Sequence, residues 1–183
     1  MQAYLAAGKP EPADLAAQIE MYRHVMGILN MGIQLLIVHG QDKKRCEEII
    51  GRLDALIHVF YLERLNSNAV AGYEYQAAVT MCGQGMEEAA YGHLEKYVEA
   101  VGILFQGEIE LHGDSFFDRL EEWFEELDLG RMAVRDRKLI ASSAMAVLSQ
   151  PVFATLSDAG RMERIRERMR RLIEEQPNNK EGV

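Results

Sequence analysis

The chain has 183 residues, of which 48% are hydrophobic and 27% are charged, and its formal net charge is −9. These values are typical of one folded globular domain, and the negative charge argues against general nucleic-acid binding, because phosphate backbones are repelled. The N-terminus lacks a basic segment followed by an apolar run, and polar residues interrupt every apolar stretch before membrane length. A cytoplasmic protein without a secretory signal or a membrane span is therefore expected.

A flexible lead-in of residues 1–13 is predicted before the first helix. Beyond it, apolar residues recur every three or four positions, which is typical of amphipathic α-helices, and no proline occurs between Ala13 and Gln150. The predicted helices cover residues 14–39, 42–60, 67–83, 86–112, 115–130, 131–150 and 161–176. The expected architecture is an all-α bundle of six or seven helices in one domain, residues 14–176, followed by a disordered tail, residues 177–183.

Local signals define several of the predicted helix ends. Asp42 is expected to cap the second helix, because an aspartate can accept a hydrogen bond from the backbone of the first turn. Gly40, Gly85 and Gly130 are expected to end helices, since glycine readily adopts the left-handed conformation. The segment 115–118, Ser-Phe-Phe-Asp, is a variant of the capping box and predicts the start of an acidic helix.

The two halves of the chain resemble each other at a separation of about 74–76 residues. The Gly-Ile-Leu of residues 27–29 recurs at residues 102–104, and His39-Gly40 recurs as His112-Gly113. Because the matches occur in the same order in both halves, they predict a tandem duplication of a three-helix unit with a pseudo-twofold axis. The two copies would be residues 19–85 and 94–160, with the helix 161–176 appended. The alternative is that two amphipathic stretches share a pattern without a common origin.

Glycines at matched positions inside predicted helices are candidates for close helix packing. A glycine within a helix costs about 1 kcal/mol relative to alanine, so its position requires a packing reason. The candidates are Gly27, Gly32, Gly102 and Gly107. We expect Gly27 and Gly102 to lie where two long helices approach closely, so that larger residues there would be destabilising.

A histidine and an aspartate occur together at both of the turns that the repeat would make equivalent. His39 precedes Asp42, and His112 precedes Asp114. These four residues could form a two-copy polar or metal site. Alternatively, each histidine lies favourably near a helix C-terminus and each aspartate caps the next helix, which explains both pairs without a ligand. The second interpretation is favoured.

No complete catalytic or metal-binding motif occurs in the sequence. The segment 121–125 contains EExxE, which resembles the first half of the magnesium motif of the all-α nucleotide pyrophosphohydrolases, but the later ExxD is missing. The Glu/His pairs 20/24 and 108/112 do not have the Glu-x-x-His spacing of di-iron bundles. The sequence therefore predicts no catalytic residue, no metal ion and no cofactor.

Residues 161–176 form a locally basic helix on an acidic chain. This helix could bind an anionic partner, remain solvated, or pack on the acidic helix after Ser115. Packing or solvation is the simpler interpretation.

The function most consistent with the sequence is a binding, adaptor or chaperone-like protein that acts through protein–protein contact or self-association. In size and composition the chain is similar to the small cytoplasmic helical chaperones and adaptors of secretion systems. Its ten methionines could provide an adaptable apolar surface. The alternative is a small enzyme or ligand-binding bundle with a pocket between the two copies, lined by Tyr22, Tyr97, His39 or His112. The sequence does not define a small-molecule ligand.

Overall fold

The computed structural model describes residues 2–128, 130–132 and 136–174. The helices in these ranges are α1 (Gln2–Ala6), α2 (Pro10–Val38), α3 (Lys43–Val59), α4 (Leu62–Leu65), α5 (Ser67–Gly83), α6 (Glu87–Leu104), α7 (Leu120–Glu125), α8 (Arg137–Val147) and α9 (Ala159–Glu174). A short 3-10 helix, Pro151–Thr155, precedes α9. The described residues contain an isolated Glu110–Met132 bridge but no β-strand. The predicted all-α bundle is confirmed, with more helices than the six or seven expected.

The structure places several helix ends where local signals predict them. Helix α2 ends at Val38, and Asp42 caps α3 by accepting a hydrogen bond from the backbone N–H of Arg45 at 3.0 Å. Helix α5 ends at Gly83, and Gly85 has a φ of +70° in the turn before α6. These ends depend on contacts within a few residues, which explains why the sequence predicts them.

The segment between α6 and α8 differs from the prediction. Helix α6 ends at Leu104 rather than near His112, and the expected helix 115–130 is only the six residues of α7. Gly107 has a φ of +93°, which is incompatible with an α-helix, so α6 cannot continue through this residue. The Asp114 carboxylate accepts hydrogen bonds from the backbone N–H groups of Phe116 and Phe117 at 2.9 and 2.8 Å. Such local bonds favour a turn over a continuing helix.

The two ends of the chain also depart from the expected bounds. The predicted lead-in, residues 1–13, contains α1 and the first turn of α2, which begins at Pro10. Proline is well suited to a first helical turn because its missing N–H would have no partner there. Helix α9 reaches Glu174, and the predicted tail, residues 177–183, lies outside the described residues.

The centre of the bundle is the antiparallel hairpin of α5 and α6, which make the most extensive contact between helices. Helix α2 packs on α5, while α9 packs on α6. The side chains that fill this interior are almost completely buried. They include Leu29, Leu36, Tyr73, Leu94, Val98 and Met169.

The basic C-terminal helix packs against α6 and not against the acidic segment after Ser115. Met162, Ile165 and Met169 of α9 are buried. The Arg161 guanidinium lies 2.8 Å from Glu88 and 2.9 Å from Glu95. Much of the positive charge of this helix is therefore matched within the chain.

Aromatic side chains attach the segment 105–128 to α2. The ring of Tyr22 makes edge contacts with Phe117, Trp123 and Phe124, at centroid distances of 6.2, 6.0 and 5.5 Å. The Tyr22 hydroxyl also accepts a hydrogen bond from Asn66 at 3.0 Å. Because α7 has only six residues, this packing rather than helix propensity holds it in place.

The tandem duplication is not confirmed. At the proposed separation, the helical residues 30–38 correspond to residues 105–113, which lie beyond the end of α6. Gly32 is inside a helix, whereas its counterpart Gly107 is in a turn. Both Gly-Ile-Leu segments are helical, but the residues that follow them lie in different kinds of structure.

The four candidate glycines have different environments. A Cβ on Gly32 would lie 2.5 Å from a methyl carbon of Leu53 in α3, and one on Gly102 would lie 2.9 Å from a methyl carbon of Leu172 in α9. A Cβ on Gly27 or on Gly107 would meet no described atom within 4 Å. The close approaches are therefore at Gly32, against α3, and at Gly102, against α9, whereas the close contact expected at Gly27 is not found among the described residues.

This difference predicts opposite effects for two alanine substitutions in α2. Gly27→Ala is expected to raise the free energy of unfolding by up to about 1 kcal/mol, because alanine favours the helix. Gly32→Ala is expected to lower it, because overpacking against the buried Leu53 costs about 1–3 kcal/mol and exceeds that gain. Urea denaturation in dilute solution measures both values. Midpoints that move in the same direction would contradict the assigned environments.

Candidate functional site

An open, mainly apolar groove with a volume of about 720 Å³ lies between α2 and α3. Its walls include Ile28, Met31 and Leu35 from α2 and Ile49 from α3. Gly32, against Leu53, lets the two helices approach closely beneath it. We call this surface the α2–α3 groove.

Helix α2 presents apolar residues on two different sides. One side, which includes Leu29 and Leu36, is buried in the core. On the other side Ile28, Met31 and Leu35 are 55%, 64% and 40% exposed. Their i, i+3, i+7 spacing forms a continuous row along one face, as in helices that bind a partner helix. The sequence contained a signal for this row, since α2 has more apolar residues than one buried face requires.

Helix α2 is also long and apolar enough, by length and composition alone, to cross a membrane. Its most apolar window of 18 residues has a mean hydropathy of 1.2. No other described helix meets this measure. A core helix can meet it too, but only 28% of this window is buried in the fold. The apolar surface of α2 therefore exceeds the part that the core covers. The expected absence of a membrane span stays a prediction.

Charged side chains border the α2–α3 groove. Arg23 pairs with Glu20 at 3.3 Å, and Arg45 pairs with Glu48 at 3.5 Å. The Arg52 guanidinium makes no hydrogen bond or ion pair with another described residue. The groove thus has an apolar floor and a charged rim, on which exposed pairs can exchange partners at little cost.

A second cavity, of about 950 Å³, lies among α5, α6, α8 and the segment after α6. Tyr97 and His112, two residues expected in a ligand pocket, line it. The Tyr97 hydroxyl donates a hydrogen bond to the backbone oxygen of Ala144 at 3.1 Å, and burial raises its pKa. Tyr22 and His39 are not among the described residues that line this cavity.

The His/Asp residues of the two turns serve mainly local roles. The backbone oxygen of His39 accepts hydrogen bonds from Asp42 N–H at 2.7 Å and from the Cys46 thiol at 3.2 Å. In the other turn, His112 Nδ1 lies 3.0 Å from the backbone oxygen of Gly113. Asp42 caps α3, and Asp114 organises the turn before α7. These contacts account for both aspartates without a bound ion.

A buried ionisable pair, absent from the sequence predictions, links the central hairpin. His93 Nδ1 of α6 lies 2.6 Å from Glu74 Oε2 of α5. Burial raises the pKa of the Glu74 carboxyl, an effect that the hydrogen bond from His93 only partly offsets. The pair lies away from both cavities, since neither residue lines them. Its position indicates a structural role in joining α5 to α6.

The described ranges contain no group of three or more histidine, cysteine, aspartate or glutamate side chains that could hold a metal ion. The three glutamates of the EExxE segment lie on α7, where Glu121 pairs with Arg131 and Glu122 with Arg119. When the chain is compared with protein-family models, with curated proteins and with solved structures, nothing matches it.

Proposed function

We propose that this chain is a cytoplasmic helical binding protein, of the adaptor or chaperone-like kind, that engages a protein partner through the α2–α3 groove. The observation that carries the proposal is the exposed row of Ile28, Met31 and Leu35 beside the groove. Such a row continues to expose apolar surface to water unless another molecule covers it.

The shape and chemistry of the groove favour a helix as the bound element. The three residues of the row recur once per helical turn, so a second helix lying along α2 would contact all of them. The charged rim at Arg45 and Arg52 would orient the bound helix, because rim charges contribute more to register and association rate than to affinity.

Site-specific photocrosslinking tests this proposal in the cells that produce the protein. A photoreactive amino acid placed at Met31 is expected to form one covalent protein adduct, whose peptides map to a helical segment of a defined partner. The control position is Leu139 of α8, which is also exposed and apolar but lies outside the groove. Labelling at Met31 that does not exceed labelling at Leu139 would exclude the groove as a protein-binding site.

The second cavity favours a second candidate function, the binding of a small apolar molecule. Its volume falls within the usual range of ligand sites, and a few polar groups such as His112 interrupt a mainly apolar wall. Native mass spectrometry of the purified protein tests this candidate. A ligand that is retained by the wild type and lost from Ala144→Phe, which would fill the cavity, supports it. An unliganded mass for both proteins would count against it.

A further inference from the structure

Gly27 packs against no other helix in the described part of the chain, although it lies in the interior of α2. Glycine weakens a helix interior relative to alanine, and a Cβ here would meet no described atom within 4 Å. Gly27 lines the α2–α3 groove next to Ile28, within the part of α2 that exposes apolar residues, from Met21 to Val38. A helix that approaches α2 from outside would give this glycine a packing reason.

The exposed row covers the second part of α2. From Met21 to Val38 the row spans about 25 Å at 1.5 Å per residue. The α2 helix of a second copy has the same length and the same apolar row. If the two helices run antiparallel across a twofold axis at the middle of the row, beside Leu29 and Asn30, each row covers the other, as an isologous interface requires.

The charges at the two ends of the groove are complementary under the same twofold axis. Glu20 lies towards the start of α2, whereas Arg45 follows the turn after α2 and so lies beside its end. Reversing the direction of α2 brings Glu20 of one copy to the end of the groove that holds Arg45 of the other. The contact occurs twice by symmetry, and it disfavours a parallel arrangement, which would place like charges at the same level.

We propose that the partner bound at the α2–α3 groove is a second copy of this chain. The two copies form a twofold dimer in which antiparallel α2 helices cross at the middle of the row, Gly27 lies in the contact, and Ile28, Met31 and Leu35 are buried. This inference rests on the proposed function, because it names the partner of the same groove.

Sedimentation equilibrium of the purified chain tests the dimer. The expected result is a mass of twice the 20.7 kDa chain at high concentration, with dissociation on dilution.

Gly27→Leu is expected to weaken association by about tenfold or more, because a large side chain separates the helices. The open space at Gly27 leaves the monomer folded, which an unchanged far-ultraviolet circular dichroism spectrum would verify. Ile28→Glu is expected to abolish the dimer, and the matched control Leu139→Glu to leave it intact.

Other outcomes separate this inference from the proposed function. A chain that stays monomeric at every concentration, or a dimer that Gly27→Leu and Ile28→Glu leave unchanged, overturns the inference. If the Met31 crosslink then maps to a different protein, the binding function stands with another partner. A monomer that cosediments with phospholipid vesicles and loses this binding on Ile28→Glu assigns α2 to a membrane surface and overturns the dimer. If Met31 forms no specific crosslink and the chain is monomeric, both proposals fail.

Discussion

Replacing Glu74 by alanine is expected to lower the free energy of unfolding by about 3–5 kcal/mol, because the loss of a buried hydrogen bond adds to the cost of a cavity in the core. Glu74 and His93 are both buried, and the two side chains lie 2.6 Å apart between α5 and α6. The substitution removes the hydrogen-bond partner of His93 and leaves a void in the most extensive helix contact of the fold. Urea denaturation monitored by circular dichroism measures the loss.

The conservative variant Glu74→Gln separates the contribution of the charge from that of the packing. Its amide oxygen can still accept a hydrogen bond from His93, and its volume is nearly the same, so a smaller loss than for alanine is expected. If Glu74→Ala costs less than about 1 kcal/mol, as surface substitutions do, the pair does not hold the hairpin together.

Replacing Phe124 by alanine is expected to cost about 3–5 kcal/mol, as is usual for a buried aromatic residue. Phe124 is almost completely buried, and its ring lies 5.5 Å from that of Tyr22 and 5.2 Å from that of Trp123. Helix α7 is too short to be stable alone, so these contacts are the main connection between it and α2. We expect faster hydrogen exchange throughout residues 105–128 in addition to the lower stability.

Phe116 provides a matched control for this substitution. It belongs to the same segment and also contacts Phe117, at a centroid distance of 4.9 Å, but its side chain is 59% exposed. Phe116→Ala is therefore expected to change the stability by only about 0.5 kcal/mol. Equal losses for the two phenylalanines would mean that the aromatic cluster does not anchor the segment to α2.

The sequence predicts best those features that depend on neighbours within one helical turn. The apolar stripe of α3, the aspartate cap at Asp42 and the turn at Gly85 are all local, and the structure contains each of them. The end of α6 is harder to predict, because residues 105–112 continue an apolar pattern that permits a helix. In the fold, Gly107, the Asp114 turn and the aromatic contacts with Tyr22 favour an irregular path.

The candidate site also combines features that the sequence shows with features that only the packing determines. The excess of apolar residues on α2 is visible in the sequence, but which of them remain exposed depends on how α3 and α5 pack around that helix. The packing at Gly27 also could not be predicted from the repeated Gly-Ile-Leu. One copy, at Gly102, meets Leu172 of a helix far along the chain, and the other faces open space.

The sequence by itself determined the all-α class, the approximate course of α2, α3, α5 and α9, and several of the caps between them, because helical periodicity and capping are properties of short segments. Only the tertiary structure decided that Glu74 meets His93, that arginines of α9 pair with glutamates of α6, and that one side of α2 stays uncovered. Each of these depends on which helix faces which across the core. Many long-range packing contacts together determine which helices face each other, and no short segment of sequence contains that information.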